Sequence, residues 1–314
     1  MPQATFDLAG KRVWVAGHNG LVGSALVRRL QRLDCHVLTV DKASLDLRRQ
    51  DLVESWMAEH QPQAVFVAAA RVGGIQANAT RPGEFFYDNM TIAANIIHGA
   101  HLTGAEKLMF LGSACIYPRL CPQPIPETEM MNGPLEPTNE GYAMAKLGAI
   151  AMCAGYRRQY GHDFISVVPT NLYGPGDNFD PAASHVVPAT IRKVVEAKER
   201  RGEVLIWGTG APRREFLHVD DAADAMVFLM ERYSSDQVIN IGAGETVSIR
   251  ELTELVCRVA GYEAPLQFDL SKPDGMPHKQ LDASRLLDMG WRPSIALSDG
   301  LQSTYDWYVH AKKL

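Results

Sequence analysis

Lys11-Arg-Val-Trp-Val-Ala-Gly-His-Asn-Gly-Leu-Val-Gly23 sets the reading of the whole chain. Lys11 to Ala16 read as a first strand, and Leu21 to Leu33 follow with the spacing of an amphipathic helix. Between them lie Gly17, Gly20 and Gly23 in a G-x-x-G-x-x-G spacing. Glycines at such a junction let backbone approach a pyrophosphate closely, and the helix start adds N–H groups and partial positive charge. The triplet alone is a weak signal, with a ligand-free turn as its bland alternative. Its place between the first strand and the first helix favours a dinucleotide site, with Asn19, Leu21 and Val22 in the same turn.

Outward from that turn, strand and helix patterns alternate. His36–Val40, Ala64–Ala69, Leu108–Leu111 and Phe164–Val168 read as short strands, and residues 51–60, 84–101 and 140–160 carry helical spacing between them. This predicts an α/β fold, a doubly wound parallel sheet with helices on both faces and right-handed crossovers. After Pro175 glycine, proline and aromatic residues crowd in and the alternation loosens. The helix after His218-Val-Asp-Asp and the strand Val238–Ile241 return to the sheet. The expected division is a dinucleotide-binding portion, 1–176 plus 216–243, and a smaller discontinuous C-terminal lobe, 177–215 plus 244–314. Ligands in open α/β sheets sit beyond the carboxyl ends of the strands, so residues just after strands carry the argument.

Composition narrows the function. A formal charge of −5 gives no basic field for nucleic acid, so an anionic ligand needs local Arg or Lys clusters. No apolar run approaches the ~18 residues of a membrane span. Residues 1–10 lack the charged start and apolar middle of a secretion signal, and a cytoplasmic location is expected. Cys35, Cys115, Cys121, Cys153 and Cys257 contain no Cys-x-x-Cys pair, so neither a disulfide framework nor a metal cage is expected. A redox pair of Cys115 and Cys121 stays open.

Three further positions carry chemistry. After the second strand, Asp41 suits a ribose 2′-hydroxyl, while Lys42 permits a 2′-phosphate, so the residues leave NAD and NADP open. Ser113 follows the strand 108–111, with a helix or turn cap as its bland role. Tyr142 and Lys146 stand four apart on one helix face. An ammonium beside a phenol favours the phenolate, so Tyr142 is expected to have a lowered pKa and to exchange protons near neutrality. Glycine turn, strand-end serine and Tyr-x-x-x-Lys occur in that order, which is more telling than any one alone.

That order resembles the extended, sugar-nucleotide-modifying branch of the short-chain dehydrogenase/reductase superfamily, whose fold is a Rossmann sheet. The resemblance implies that Ser113 hydrogen-bonds a substrate carbonyl, Tyr142 protonates the developing alkoxide, and Lys146 binds the nicotinamide ribose. Ala68–Asn78, Ser113–Pro118 and Leu135–Tyr142, with Pro169–Pro175, Asp177-Asn-Phe, Ser184–Pro188, Arg214–Asp221 and Ser271–Gly275, narrow the resemblance to the GDP-L-fucose synthase family, across nearly the whole chain.

The family's reaction is a 3,5-epimerisation and NADPH-dependent 4-reduction of GDP-4-keto-6-deoxy-D-mannose. By resemblance, Cys115 and His185 move the protons on the carbons beside the C4 ketone. Their ordinary pKa values, about 8.5 and 6.5, are both within tuning range of neutrality. The resemblance further implies dinucleotide contacts from Ala69, Pro169, Asn171, Leu172 and His185. It places Lys193, Trp207, Arg214 and Asp274 on the GDP-sugar, with Lys279 a weaker addition, and it implies a homodimer through the helices 84–101 and 140–160. The family commonly has arginine where Lys193, Asn19 and the stretch Val40-Asp41 stand here. NADP(H) is what the resemblance implies, and NAD(H) stays open. Two other functions also stay open: an epimerase/reductase on another GDP-4-keto sugar (a 3,6-dideoxy or heptose derivative), and a non-catalytic nucleotide sensor. Dehydratases of the superfamily usually pair an acid and a glutamate after the strand-end hydroxyl, where Ala114-Cys115 stand here. Sensors often lose the tyrosine or lysine, and both are present.

Overall fold

The computed structural model describes residues 5–181, 183–263, 265–272 and 274–312. Residues 1–4 and 313–314, at the outer ends of the two expected portions, lie outside the described residues, as do Ala182, Ala264 and Pro273 of the Ser271–Gly275 stretch. The first half runs β1 (Arg12–Ala16), α1 (Leu21–Leu30), β2 (His36–Leu38), α2 (Gln50–His60), β3 (Ala64–Val67), α3 (Ile75–Thr80), α4 (Pro82–Leu102), β4 (Lys107–Leu111) and α5 (Glu140–Tyr160). Then follow β5 (Asp163–Pro169), β6 (Asn171–Tyr173), α6 (Val186–Arg200), β7 (Val204–Trp207), β8 (Arg213–Arg214), β9 (Phe216–His218), α7 (Val219–Arg232) and β10 (Ile239–Ile241). The chain closes with β11 (Val247–Ser248), α8 (Ile249–Val259), β12 (Leu266–Asp269), β13 (His278–Lys279), α9 (Ser284–Asp288) and α10 (Leu297–Ala311).

Six strands form one sheet in the order β2-β1-β3-β4-β5-β10, and every pairing in it is parallel. Alternate residues of each strand feed opposite cores, as the two-residue period of a strand requires. Val13, Val15, Phe66 and Met109 pack with Leu26 and Leu30 of α1 and Met226 and Met230 of α7. Trp14, Val65, Val67, Leu108 and Phe110 pack with Met57 of α2, Ile96 and Ile97 of α4 and Ile150 of α5. The central strands are mostly apolar because both faces of the sheet are covered. The order reverses between β1 and β3, which opens a crevice at their carboxyl ends.

Element ends differ from the sequence reading where tertiary contacts decide. β2 pairs with β1 only through Leu38, so residues 39–41 leave the edge of the sheet and bring Asp41 to Asn19 of the glycine turn. α4 begins two residues earlier than its apolar spacing, because Pro82 fits the first helical turn, where no N–H is needed. No helix of the described residues is long and apolar enough to cross a membrane.

The remaining strands form small sheets, β11-β8-β13, β12-β7 and β6-β9. A third core joins Ile191 and Val194 of α6, Leu252 and Val256 of α8 and Leu301 of α10. Leu286 and Trp291, late in the chain, pack instead into the α1–α7 core. Glu215, fully buried between β8 and β9, ties these pieces together. Its carboxylate accepts from the backbone N–H of Gly244 at 2.9 Å and of Leu281 at 3.0 Å, and its carbonyl accepts from Asn171 Nδ2 at 2.9 Å.

Removing a buried acceptor strands its donors, at a cost of about 1–3 kcal/mol each. Glu215→Ala is therefore expected to lower the unfolding free energy by about 2–4 kcal/mol, seen as a melting temperature several degrees lower in calorimetry.

Candidate active site

Gly17 and Gly23 are demanded by packing. A Cβ on Gly17, which has φ +89°, would lie 2.6 Å from the Ala69 backbone nitrogen, and one on Gly23 would lie 2.1 Å from the Gly17 carbonyl oxygen. Gly20 is different. A Cβ there meets only the Gly17 oxygen, at 3.4 Å, and would fill open room before the N-terminus of α1. That helix has no side-chain cap and no acid in its first turn, so its leading N–H groups and partial positive charge are unspent. The cradle fits a pyrophosphate. Leu21 and Val22 stand in that first turn. Asp41, 68% exposed at its side chain, accepts from Asn19 Nδ2 at 2.7 Å and lies 3.4 Å from His18 Nε2. Lys42 is exposed beside it. Pro169, Asn171 and Leu172 lie at the carboxyl end of β5 and in β6, beyond the same sheet edge.

β4 ends at Leu111 and delivers Ser113 and Cys115 into a short 3-10 turn, Ala114–Ile116. α5 brings Tyr142 and Lys146 to the same point. The Ser113 hydroxyl interacts with both the Cys115 thiol and the Tyr142 phenol. Lys146 is buried, donates to the Leu111 carbonyl at 2.7 Å, and lies 5.7 Å from the centre of the Tyr142 ring. Burial pulls its ammonium down to about 8. The expected lowering of Tyr142 is reversed. Burial first, then the neighbouring Cys115, raise the phenol well above its ordinary value, and Ser113 only partly offsets them. Lys146 spends its charge on a carbonyl and on the face of Phe110, 4.8 Å away. Burial likewise raises the Cys115 thiol, opposed by Ser113, Lys279 and Lys146.

His185 stands at the N-cap position of α6 without a capping side-chain hydrogen bond, on a loop whose Ser184 carbonyl nears Gly74. Surrounding protein holds the imidazole below its ordinary value although water reaches it. Among the described residues it makes no hydrogen bond or ion pair with Ser113, Cys115 or Tyr142, and burial is the only cause of its shift.

In the smaller lobe, Lys193 donates to the Leu205 carbonyl at 3.0 Å and sits 5.0 Å over the Trp207 ring, which is 60% exposed. Asp274 turns inward on its own lobe: its two oxygens accept from the Thr209 backbone N–H and hydroxyl, at 2.7 and 2.8 Å, pinning the turn after Trp207. Arg214 is half-buried in β8, and burial lowers it. β13 sets Lys279 opposite Arg214, and Lys279 is also electrostatically coupled to Cys115. Sequence reading gave Lys279 little weight, because a two-residue strand has no periodicity to announce it. The site thus unites a dinucleotide cradle, a serine–tyrosine–cysteine group and a cationic strand pair beyond one sheet edge.

Comparison with known proteins supplies the family. Residues 13–242 match the NAD dependent epimerase/dehydratase family. The chain is 53% identical over 310 residues to the GDP-L-fucose synthase of Sinorhizobium fredii, covering 98% of each chain. It is 54% identical over 300 residues to GDP-L-fucose synthase 1 of Arabidopsis thaliana, covering 95% of this chain and 93% of the other. The crystal structure of a GDP-L-fucose synthetase from Naegleria fowleri bound to NADP superposes with a TM-score of 0.92 at 26% identity, covering 99% of this chain and 96% of that one. This chain belongs to the nucleotide-cofactor-binding NAD-dependent epimerase/dehydratase family and, within it, to the GDP-L-fucose synthases.

Proposed function

We propose that this chain converts GDP-4-keto-6-deoxy-D-mannose to GDP-L-fucose, by epimerising C3 and C5 and then reducing C4. The observation that carries this reading is the Ser113 hydroxyl, at the end of β4, interacting with both the Cys115 thiol and the Tyr142 phenol. A ketone oxygen bound by Ser113 and Tyr142 has two donors to hold the charge it gains when a proton leaves C3 or C5. Cys115 and His185 move those protons, taking one from one face of each carbon and returning one to the other. A bound nicotinamide dinucleotide supplies hydride to C4. Tyr142, held as a neutral phenol, gives its proton to the C4 oxygen. Lys146 orients the ribose of that dinucleotide, and Arg214, Lys193 and Trp207 hold the GDP end, Arg214 by bidentate contact with phosphate. Asp274 serves by fixing the turn that carries Trp207.

Family likeness favours NADP(H), with NAD(H) permitted by Asp41. The portion 1–176 plus 216–243 takes the dinucleotide, and the lobe 177–215 plus 244–314 takes the nucleotide sugar. A cytoplasmic location belongs to the same proposal. So does a homodimer, because α4 and α5 leave Phe86, Tyr87 and Met144 44%, 64% and 46% exposed. Sedimentation at micromolar concentration then gives a dimer mass, and a clean monomer refutes that part.

The direct test is product analysis after incubation with the 4-keto sugar and reduced dinucleotide. Inversion at both C3 and C5 with reduction at C4 is expected, and retention at C3 and C5 overturns the reading. In Cys115→Ala, solvent-deuterium exchange at C3 and C5 is expected to fall at least 100-fold while dinucleotide binding survives. Lys146 gives a pH signature. Its charge is present below about pH 8 and lost as pH rises through that value. Dinucleotide affinity should therefore weaken above pH 8 in the wild type and stay weak and flat across that range in Lys146→Met.

A further inference from the structure

We infer that the adenosine end of the site is built to receive a free ribose 2′-hydroxyl, so that this chain takes NAD(H) in preference to NADP(H). The inference rests on the dinucleotide reading of the glycine turn, and it departs from the cofactor that family likeness favours.

The first observation is how Asp41 is held. Its backbone carbonyl accepts from the N–H groups of Ser44 and Leu45, each at 2.9 Å, which fixes the residue where the chain leaves β2. Asn19 and His18, both in the glycine turn, approach one carboxylate oxygen, Oδ1, at 2.7 and 3.4 Å. Among the described residues no hydrogen bond or ion pair engages Oδ2. One oxygen is clamped by the turn, while the other remains open to water on a side chain 68% exposed. A carboxylate is an acceptor only, and a hydroxyl is the donor it can take. An acid at the end of the second strand, beside the glycine turn, is where a Rossmann sheet meets the adenosine ribose.

The second observation is that the nearby guanidinium groups are already spent. Arg48 engages Asp46 at 2.8 Å and Asp88 at 3.4 Å, and Arg49 engages Asp51 at 3.1 Å. Lys42 is free of hydrogen bonds among the described residues, but it neighbours Asp46, whose carboxylate Arg48 and Lys42 keep ionised by holding it down to about 2. A 2′-phosphate, with a charge of about −2, needs converging cations. Here it meets the Asp41 carboxylate with a single lysine beside it. A hydroxyl meets a good acceptor. Asn19 does not change this balance, because its amide nitrogen is committed to Asp41.

Binding without turnover tests this, using ADP-ribose and 2′-phospho-ADP-ribose as competitors and NADH and NADPH as titrants, followed by calorimetry. The wild type is expected to bind NADH at least tenfold more tightly than NADPH, and ADP-ribose more tightly than its 2′-phosphate. Asp41→Ala should weaken NADH about tenfold and leave NADPH unchanged or tighter. The double variant Asn19→Arg, Asp41→Ser should reverse the order. Equal or tighter binding of NADPH by the wild type overturns the inference, as does an unchanged preference in Asp41→Ala, which would make the Asn19–Asp41 pair a turn staple only. Because the sugar takes no part, a chain that prefers NADH yet leaves the 4-keto sugar unreduced refutes the proposed reaction and leaves this inference standing.

Discussion

The buried carboxylate of Glu215 is the constraint on which the site depends. Charge in a protein interior is expensive unless hydrogen bonds surround it. Glu215 is surrounded: Gly244 and Leu281 donate backbone N–H groups, with Thr170 and Ala243 also in reach, yet burial still holds its carboxyl above the ordinary value. Those donors come from the ends of β5 and β10 and from the segment after β13. One side chain therefore sets the floor of the large sheet against the small lobe. A Cβ on Gly242 would lie 2.6 Å from a carboxylate oxygen, so the glycine after β10 is explained by the acid it admits. Its neighbours in sequence inherit that placement: Arg214 pairs with β13, and Phe216 starts the strand that runs beside β6.

What the chain shows before folding, and what it hides, divides along the range of the forces. The six-stranded sheet was legible because fully covered strands need unbroken apolar runs, and 64–67 and 108–111 are such runs. The Tyr142–Lys146 pair was legible because helical neighbours four apart share a face. The sign of the Tyr142 shift was not, because burial is a property of the whole fold and i, i+4 spacing carries no record of it. Nor does spacing reveal that Lys146 turns its ammonium to the Leu111 carbonyl. Lys279 escaped weight for a related reason. It approaches Cys115 only through a two-residue strand paired with Arg214, a contact between segments far apart in sequence. Asp274 was noticed for its motif, while its partner Thr209 sits 65 residues away in a turn without any signature. His185 was named by resemblance, because a lone histidine at a helix start has no local pattern to announce it.

On the proposed reaction, the electrostatics of this group bear on how one site performs two kinds of step. Cys115 and Tyr142 are both raised by burial, and the proximity of Cys115 is a further cause of the rise at Tyr142. Two buried acids that repel once ionised cannot both give up a proton cheaply. Whichever ionises first holds the other neutral. When the thiol has lost its proton, the phenol is kept as a hydrogen-bond donor to the ketone oxygen, which is what an enolate needs. Once the thiol is protonated again, that obstacle to proton transfer from Tyr142 to the C4 oxygen is relieved, which is what reduction needs. Lys279 and Lys146 lower the cost of the thiolate at Cys115, while that thiolate still opposes a second charge on Tyr142. The ketone itself fixes the order, epimerisation before reduction, because reducing C4 removes the carbonyl that acidifies C3 and C5, and a buried site that tolerates one anion at a time serves both steps in turn.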